Sequence, residues 1–409
     1  MQCQARSLVA ILVSFALMLG IGSTASAQEA TPIATADVGV VASGLDSPRG
    51  VTWDAKGNLY VAIAGTGNAG TGKTSDGESG SLARIVDGCP VTVATGLPST
   101  RGMDGAAQGP SAVAVLDGQL YVLQDGSYSA SASAPKPNGV YAVEPDGTFR
   151  LVADISAWVA AHPVAAIPYD FTPAGETFNM IAGDGVLWVA ESNSGQLLRV
   201  TPKGAISRVA DLSAGHLVPT GLALAPGGGV YVGFLTPAPY TGGASKVIKI
   251  AADGTRTDAW TGLTAITALA VDPAGTLYAL ELATGNLDQA PYLQPRTGKV
   301  VRQTGKAASA AVATGLDYPV AMAFGPDAAL YVSLPALASD HPGGILRLDP
   351  SAPAPVAVDP SILNQSPCAT PATPAPPAPQ SWGETKGGVH PPGLGGRGGR
   401  TGYFPFVWT

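Results

Sequence analysis

Six copies of one short strand pattern constrain the fold of this chain more than any other feature. Each copy is a small residue or turn followed by an apolar, aromatic, apolar run. The runs are Leu59-Tyr60-Val61, Leu120-Tyr121-Val122, Leu187-Trp188-Val189, Val230-Tyr231-Val232, Leu277-Tyr278-Ala279 and Leu330-Tyr331-Val332. Regular internal repetition predicts units that stack on one another and share a buried core.

Each copy is accompanied by three further strands. About ten residues upstream lies a strand of small and branched residues, such as Gly50-Val51-Thr52-Trp53. A third strand such as Leu82-Ala83-Arg84-Ile85 follows, and then a fourth such as Val93-Ala94-Thr95-Gly96-Leu97. Four antiparallel strands per copy, at spacings of 43 to 67 residues, predict an all-β, six-bladed β-propeller of four-stranded blades.

The ends of the repeat array indicate how the ring closes. Val40-Val41-Ala42-Ser43-Gly44-Leu45 matches the fourth-strand pattern but precedes the first copy, while the sixth copy ends at its third strand. We therefore expect the N-terminal strand to complete the last blade and to remove an open sheet edge.

Residues 1–27 have the features of a secretory signal peptide. Arg6 precedes an apolar run from Leu8 to Ile21, and small residues lead to Ala27. The alternative is an uncleaved anchor, but the run is about 14 residues against the roughly 20 that span a bilayer. We expect cleavage, no later membrane insertion, and a secreted protein that is extracellular or periplasmic.

The rest of the chain divides into three parts. Residues 28–37 form an N-terminal linker, and residues 38–367 the propeller with a C-terminal clasp. Residues 368–409 form a Pro/Ala-rich and then Gly-rich tail, which we expect to be disordered. The formal net charge of −7, with 22 basic against 29 acidic residues, argues against a nucleic-acid partner. We expect a monomer.

Two cysteines remain after signal cleavage. Cys89 follows the third strand of the first blade, and Cys368 lies about 20 residues past that of the sixth. Adjacent blades of a closed ring would bring them near each other, so we predict a disulfide in an oxidising compartment. Two unpaired thiols are the alternative.

The repeats resemble the NHL type, and the fourth is similar to the ScyD/ScyE family. The residues that carry this likeness are Val218-Pro219-Thr220-Gly221, the run from Val230 to Tyr240, and Gly243-Ala244-Ser245-Lys246-Val247. The resemblance extends over about residues 38–350 and implies a secreted bacterial propeller without a settled chemistry. Thr177-Phe178-Asn179-Met180 departs from the Asn-Pro-Tyr-Gly-like turn of the family.

The innermost strands of a propeller surround an axial channel. The loops that lead into them share one face with the loops that leave the second strands, and ligands usually bind there. We call it the loop face. Aligned copies predict a ring at the channel mouth, made of Arg49, Ser111, Asn179, Thr220, Thr267 and Val320. It contains no carboxylate, so we expect no cofactor and no metal site of the gluconolactonase-like kind.

One arginine among hydroxyl and amide groups suits a polar or anionic small molecule. The alternative is that these side chains only satisfy neighbouring backbone groups. The candidate ligand residues are Arg49, Ser111, Asn179, Thr220 and Gln124.

A second ring follows three residues after each strand-centre aromatic. It contains the acids Glu191 and Glu281 in the third and fifth blades, with Gln124 in the second. Two facing carboxylates would serve as acid and base or would hold a metal, which makes them weak catalytic candidates. In the alternative interpretation, each accepts backbone N–H bonds in a tight turn.

Two loop segments carry other motifs. Gly67-Asn68-Ala69-Gly70-Thr71-Gly72-Lys73-Thr74 matches the P-loop expression, but no helix can start after it, so we reject phosphate binding. The insertion from Ser156 to Gly175 predicts a short helix that serves either as a lid or as a cover for apolar surface.

Two functions remain open from the sequence. The first is a binding or scaffold module for a small polar molecule or another protein. The second is a hydrolase or lyase that uses Glu191 and Glu281, because a propeller fold hosts both classes.

Overall fold

The computed structural model describes residues 37–69, 77–101, 106–126, 136–251, 253–290 and 292–368. The signal peptide, all but the last residue of the linker, and the tail beyond Cys368 lie outside the described residues. So do residues 70–76, which include most of the P-loop-like sequence.

The described residues form six four-stranded antiparallel sheets, one for each repeat, as the sequence predicted. Five sheets follow the order of their strands in the chain, and we number the blades in that order. Blade 1 comprises Pro48–Trp53, Leu59–Ile63, Gly80–Val86 and Cys89–Leu97. Blade 2 comprises Pro110–Leu116, Gln119–Gln124, Gly139–Val143 and Phe149–Asp154. Blade 3 comprises Thr177–Gly183, Val186–Glu191, Gln196–Val200 and Ile206–Asp211.

The remaining blades have the same plan. Blade 4 comprises Pro219–Leu224, Val230–Phe234, Ser245–Ile250 and Arg256–Leu263. Blade 5 comprises Ile266–Val271, Leu277–Glu281, Gly298–Gly305 and Ala308–Leu316. Blade 6 comprises Ala321–Phe324, Leu330–Leu334, Gly343–Leu348 and, as its outermost strand, Val38–Leu45.

The core is divided among the interfaces between neighbouring blades. Six hydrophobic clusters lie there, and each combines apolar side chains from two adjacent sheets. Leu82 of blade 1 and Val122 of blade 2, for example, are both fully buried in one cluster. Because a neighbouring blade covers each face of every sheet, the strands bury side chains that point to either face.

Small residues allow the innermost strands to converge around the axis. A Cβ atom added to Gly50 of blade 1 would lie 2.7 Å from the Cα atom of Ala112 in blade 2. Each innermost strand contacts that of the next blade, and the innermost strands of blades 6 and 1 also meet. The upstream strands of small residues are therefore the inner wall of the ring.

The N-terminal strand closes the ring, as predicted. Val38–Leu45 pairs antiparallel with Gly343–Leu348, so that Val38 lies opposite Leu348 and Leu45 lies opposite Gly343. Blade 6 therefore combines strands from both ends of the propeller.

A C-terminal strap, residues 356–368, crosses the outer edges of three blades. Val356–Ala357 adds a parallel strand to the outermost strand of blade 5. The 3₁₀ helix Pro360–Asn364 buries Leu363, whose carbonyl accepts a hydrogen bond from Ser43 in the outermost strand of blade 6. Cys368 then forms a disulfide with Cys89 of blade 1, with the Cα atoms 4.6 Å apart, which confirms the predicted bond.

The insertion before blade 3 contains the predicted short helix. The helix spans Ile155–Ala161, and Asp154 caps its N-terminus, because its carboxylate accepts the N–H of Ala157. Ile155 and Val159 are buried in the cluster between blades 2 and 3, so the helix covers apolar surface.

Two further features complete the described structure. On the loop face, the short strands Asn68–Ala69, Thr100–Arg101 and Ala107–Gln108 form a small additional sheet. Within the part of the chain described here, no helix combines the length and the apolar character that a membrane crossing needs.

The disulfide predicts a stability difference. Reduction, or the substitution Cys368→Ser, should lower the free energy of unfolding by about 2–4 kcal/mol, because the bond joins residues 279 positions apart and so restricts the unfolded chain. Urea denaturation of the oxidised and reduced protein measures the difference. The Cys89→Ser/Cys368→Ser double variant should match the single variant, and equal midpoints for oxidised and reduced protein would contradict this expectation.

Candidate functional site

Arg49 lies at the start of the innermost strand of blade 1, on the loop face, and is 8% exposed. Its Nη2 atom donates to the carbonyl of Ala107, which precedes blade 2, and to that of Ala336, 3.1 Å away, which follows the second strand of blade 6. Arg49 thus connects its own blade with both of its neighbours at the channel mouth.

Asp125 carries the opposite charge at the same site. It follows the second strand of blade 2, and its Oδ1 atom accepts the N–H of Thr177 in blade 3, 3.2 Å away. Burial raises the pKa of Asp125 to about 7, against the opposing effects of the N–H groups of Gly126 and Thr177 and the charge of Arg49. The negative charge of Glu191 raises this pKa further. The three charged groups therefore influence one another.

Glu191, a predicted catalytic candidate, is fully buried at the end of the second strand of blade 3. Its carboxylate accepts the N–H of Glu176 at 3.0 Å and the N–H of Ser194 at 3.1 Å, and the Ser194 hydroxyl also donates to it. Burial raises the pKa of Glu191 above its ordinary value, although these hydrogen bonds oppose the rise. The carboxylate fixes the turn between two strands and the end of the insertion.

Glu281, the other catalytic candidate, is held in a different way. It is 2% exposed, accepts the N–H of Thr264 at 3.0 Å, and lies 3.1 Å from Nζ of Lys299. Burial raises the pKa of Glu281 above its ordinary value, although the charge of Lys299 and the N–H of Thr264 oppose the rise. Glu191 and Glu281 share none of these partners, so each carboxylate stabilises a different part of the ring.

The Lys299–Glu281 pair predicts a pH-dependent loss of stability. Lys299→Met should lower the free energy of unfolding by about 2 kcal/mol at pH 7, because it leaves a buried carboxylate without its counter-charge. The variant raises the pKa of folded Glu281 further above its unfolded value, so the loss should be small near pH 4 and grow as the pH rises.

Unfolding curves at several pH values measure this loss. Lys246→Met is the control, because the Lys246–Asp258 pair is partly exposed and should contribute little. Equal effects of the two variants, or a loss that does not depend on pH, would show that Lys299 does not stabilise the buried charge.

Two threonines of the predicted mouth ring connect neighbouring blades. Thr220 of blade 4 donates to the carbonyl of Ile266 in blade 5 at 2.5 Å. Thr267 of blade 5 donates to the carbonyl of Pro319, before blade 6, at 3.1 Å. Thr177 of blade 3, outside that ring, donates instead to the preceding blade, to the carbonyl of Gln124 at the end of the second strand of blade 2, at 2.6 Å. These hydroxyls satisfy backbone groups where the inner strands meet.

The Thr220 bond predicts a structural role for that side chain. Thr220→Val should lower the free energy of unfolding by about 1–2 kcal/mol, since the buried Ile266 carbonyl loses its donor. Thr257→Val, on an exposed strand, is the matched control and should change stability by less than about 0.5 kcal/mol. Thermal unfolding compares the two, and a Thr220 variant as stable as the control would contradict this role.

The remaining predicted ligand residues differ in what they contact. Gln124 is fully buried, and its amide nitrogen donates to the carbonyls of Pro98 and Asp125. Ser111 is half-buried and lies 3.4 Å from the carbonyl of Leu123. Asn179 is half-buried on the innermost strand of blade 3, and its side chain makes no hydrogen bond to any residue that the structure describes. Val320, the apolar member of the ring, is buried.

Sequence alignment of the repeats missed Asp125, a buried acid at the mouth with a raised pKa. It stands directly after Gln124, one position beyond the ring that contains Glu191 and Glu281. A scan of that next position would have found it, because the other five copies have Ala64, Ser192, Leu235, Leu282 and Pro335 there.

The insertion encloses a separate cavity of about 170 Å³. Apolar side chains that include Val159, Ile167 and Phe171 line it, together with Ser194 and Gln196. None of the predicted ligand residues contributes to its lining. His216, before blade 4, also faces the insertion, with Nε2 3.3 Å from Oδ1 of Asp170.

The described residues offer no cluster of metal ligands. Over those ranges, no group of three or more His, Cys, Asp and Glu side chains has an arrangement that could hold a metal ion.

Comparisons with known proteins support the fold. No protein-family model matches this chain, and no curated protein matches it. Among solved structures, one described as an oxidoreductase (glucose dehydrogenase) from Thermus thermophilus has a TM-score of 0.52 at 17% identity, over 76% of this chain and 99% of that one.

Two further solved structures are similar to a slightly lower degree. A gluconolactonase from Xanthomonas campestris has a TM-score of 0.49 at 13% identity, over 76% of this chain and 89% of that one. Regucalcin, a calcium-binding protein from Agrobacterium tumefaciens, has a TM-score of 0.49 at 16% identity, over 76% of this chain and 92% of that one. At 17% identity, the likeness to the Thermus thermophilus structure shows a shared fold and not a shared chemistry.

Proposed function

We propose that this chain is a secreted propeller of the ScyD/ScyE type that binds a small polar molecule at the channel mouth. The observation that carries the proposal is the electrostatic influence of Arg49 on Asp125, two buried groups of opposite charge at the start of the inner channel. Buried charges are costly, and convergent polar groups in a cleft are suited to orient a ligand.

The neighbouring polar groups favour a small ligand. Asn179 presents a half-buried amide on the ring that also contains Arg49. A side chain with both a donor and an acceptor suits a ligand that hydrogen-bonds in both directions. Thr220 and Gln124 contribute by positioning the backbone around the mouth, since the Thr220 hydroxyl and the Gln124 amide nitrogen already donate to carbonyls.

The binding function accounts for the two glutamates better than the hydrolase hypothesis does. Glu191 accepts several hydrogen bonds, and Glu281 is paired with Lys299. A carboxylate that is occupied in this way is poorly placed to take a proton from a substrate.

Asp125 is the observation that favours catalysis as a second candidate. A carboxyl with a pKa of about 7 is close to half protonated at neutral pH and is suited to act as a general acid or base. A lyase or hydrolase would then use Asp125, with Arg49 to stabilise negative charge on the substrate.

A thermal-shift screen tests the binding function. The probes are small carboxylic acids, amino acids, sugar acids and lactones, each at millimolar concentration with purified protein. We expect at least one probe to raise the melting temperature of the native protein by a few degrees, as binding to the folded state requires. Arg49→Gln and Asn179→Ala should each reduce that shift, because both remove a polar contact at the mouth.

The controls separate the two functions. Thr257→Val, at an exposed position in the outermost strand of blade 4, should keep the full shift. No shift with any probe, or a shift that persists in Arg49→Gln, would contradict binding at this site. Conversion of a probe by the native protein, with loss of conversion in Asp125→Asn, would favour catalysis.

A further inference from the structure

A second charged cluster lies on the loop face between blades 5 and 6. Two hydrogen bonds reach the buried carboxylate of Asp317, from the N–H of Arg296 at 2.9 Å and from the hydroxyl of Ser339 at 2.6 Å. Nε2 of His341 lies 3.3 Å from the same carboxylate, at ion-pair distance. Asp317 directly follows the outermost strand of blade 5, whereas Ser339 and His341 belong to the loop of residues 335–342 in blade 6. The carboxylate thus joins three segments of chain.

The surroundings of His341 determine its protonation. Nδ1 lies 2.8 Å from the carbonyl oxygen of Pro342, which can only accept, so Nδ1 must hold a proton. If Nε2 had no proton, its lone pair would face the carboxylate of Asp317. Since that arrangement is repulsive, the geometry favours a doubly protonated ring.

The electrostatics agree with this assignment. Burial lowers the pKa of His341, but the hydrogen bonds to Asp317 and Pro342 and the charges of Asp317 and Asp340 raise it overall. Burial raises the pKa of Asp317, but the hydrogen bonds from His341 and Ser339 hold it below its ordinary value.

The other charges near His341 come from three segments. Asp340 is in the same loop and is paired with the Arg296 guanidinium of the blade 5 loop at 2.7 Å. Asp359 of the C-terminal strap acts electrostatically on Arg296. Asp317 is therefore the acid in direct contact with the ring, and the charge of Asp340 is compensated by Arg296.

The same loop reaches the channel mouth. The N–H of Ala336 donates to the carbonyl of Tyr318 at 2.7 Å, directly beside Asp317. The carbonyl of Ala336 accepts a hydrogen bond from Arg49. The loop of residues 335–342 therefore contacts Asp317 near one end and Arg49 near the other.

We propose that Asp317 and His341 form a pH-sensitive latch, in which protonated His341 holds the loop of residues 335–342 in place and so keeps the Ala336 carbonyl on Arg49. Loss of the proton removes the attraction to Asp317 and loosens this loop. The latch itself does not depend on the identity of any ligand. Its effect on ligand binding rests on the proposed function of the mouth.

The sign of the pH effect follows from linkage. A histidine whose pKa is higher in the folded state contributes stability that is fully present below its unfolded value, near 6.5. This contribution is lost as the pH rises through the higher folded value. The latch is therefore closed in mildly acidic solution and opens towards alkaline pH.

Histidine-ring NMR titration of the protein with its disulfide intact tests the protonation of His341. His341→Gln assigns the His341 signal by its absence, and His162→Gln is the matched control, since His162 is an exposed histidine stacked on Trp158. We expect His341 to titrate above 6.5 in the native protein and in the control variant. Titration at or below 6.5 would overturn the latch.

Amide hydrogen exchange tests whether the loop of residues 335–342 loosens when His341 loses its proton. The protection factor of the Ala336 amide should fall about tenfold as the pH passes through the titration of His341. The Leu235 amide, which makes the equivalent bond to the Val218 carbonyl in blade 4, should keep its protection. In His341→Gln, checked for its fold by circular dichroism, Ala336 protection should not depend on pH.

The NMR titration and the hydrogen exchange test the latch independently of the proposed binding function. Ala336 protection that does not change with pH in the native protein would overturn the coupling to the mouth, even if His341 titrates above 6.5. A failed ligand screen would contradict the binding function but would leave these two measurements valid, because neither uses a ligand.

Discussion

The pairing of the N-terminal strand with the third strand of blade 6 is the constraint on which the rest of the structure depends. Val38–Leu45 completes the last sheet, so the chain has no open edge between blades 6 and 1. The C-terminal strap crosses the same junction from outside and ends at the disulfide with Cys89. Closure brings the inner strands of blades 6 and 1 together, and Arg49 can then reach Ala336.

Closure also accounts for the electrostatics of the loop face. In a ring, side chains from distant parts of the sequence become neighbours at the mouth, and burial strengthens their mutual influence. Asp125 interacts with Arg49 from blade 1 and Glu191 from blade 3, so its pKa depends on three blades at once. Glu281 and Asp317, in contrast, are each neutralised locally by one cationic side chain. Arg49 and Asp125 are thus the charges through which the mouth can respond to a ligand.

Much of the architecture could be predicted from the sequence, because a repeated strand pattern determines which residues face the core. Tyr121 and Trp188 mark the second strands of their blades, and the unpaired N-terminal strand predicted closure. The path of the strap could not be predicted, since Val356 and Leu363 pack on blades that no local pattern connects with them. Spacing alone placed Cys89 and Cys368 on adjacent blades.

The candidate site was less predictable than the fold. Repeat alignment located Arg49 and Glu191, but it could not show that the Thr220 hydroxyl would bond to the Ile266 carbonyl of the next blade. Such contacts depend on how closely two inner strands approach. The position after the acid ring reveals the Asp125 carboxyl, but its raised pKa comes from burial and from charges on other blades, which a single repeat does not contain.

A carboxyl ¹³C NMR titration of Asp125 measures the electrostatic coupling of Asp125 to Arg49. We expect a midpoint near pH 7 in the native protein, with a higher midpoint in Arg49→Gln because the positive charge that stabilises the carboxylate is gone. A midpoint near the ordinary value of 3.8, unchanged in Arg49→Gln, would contradict the coupling.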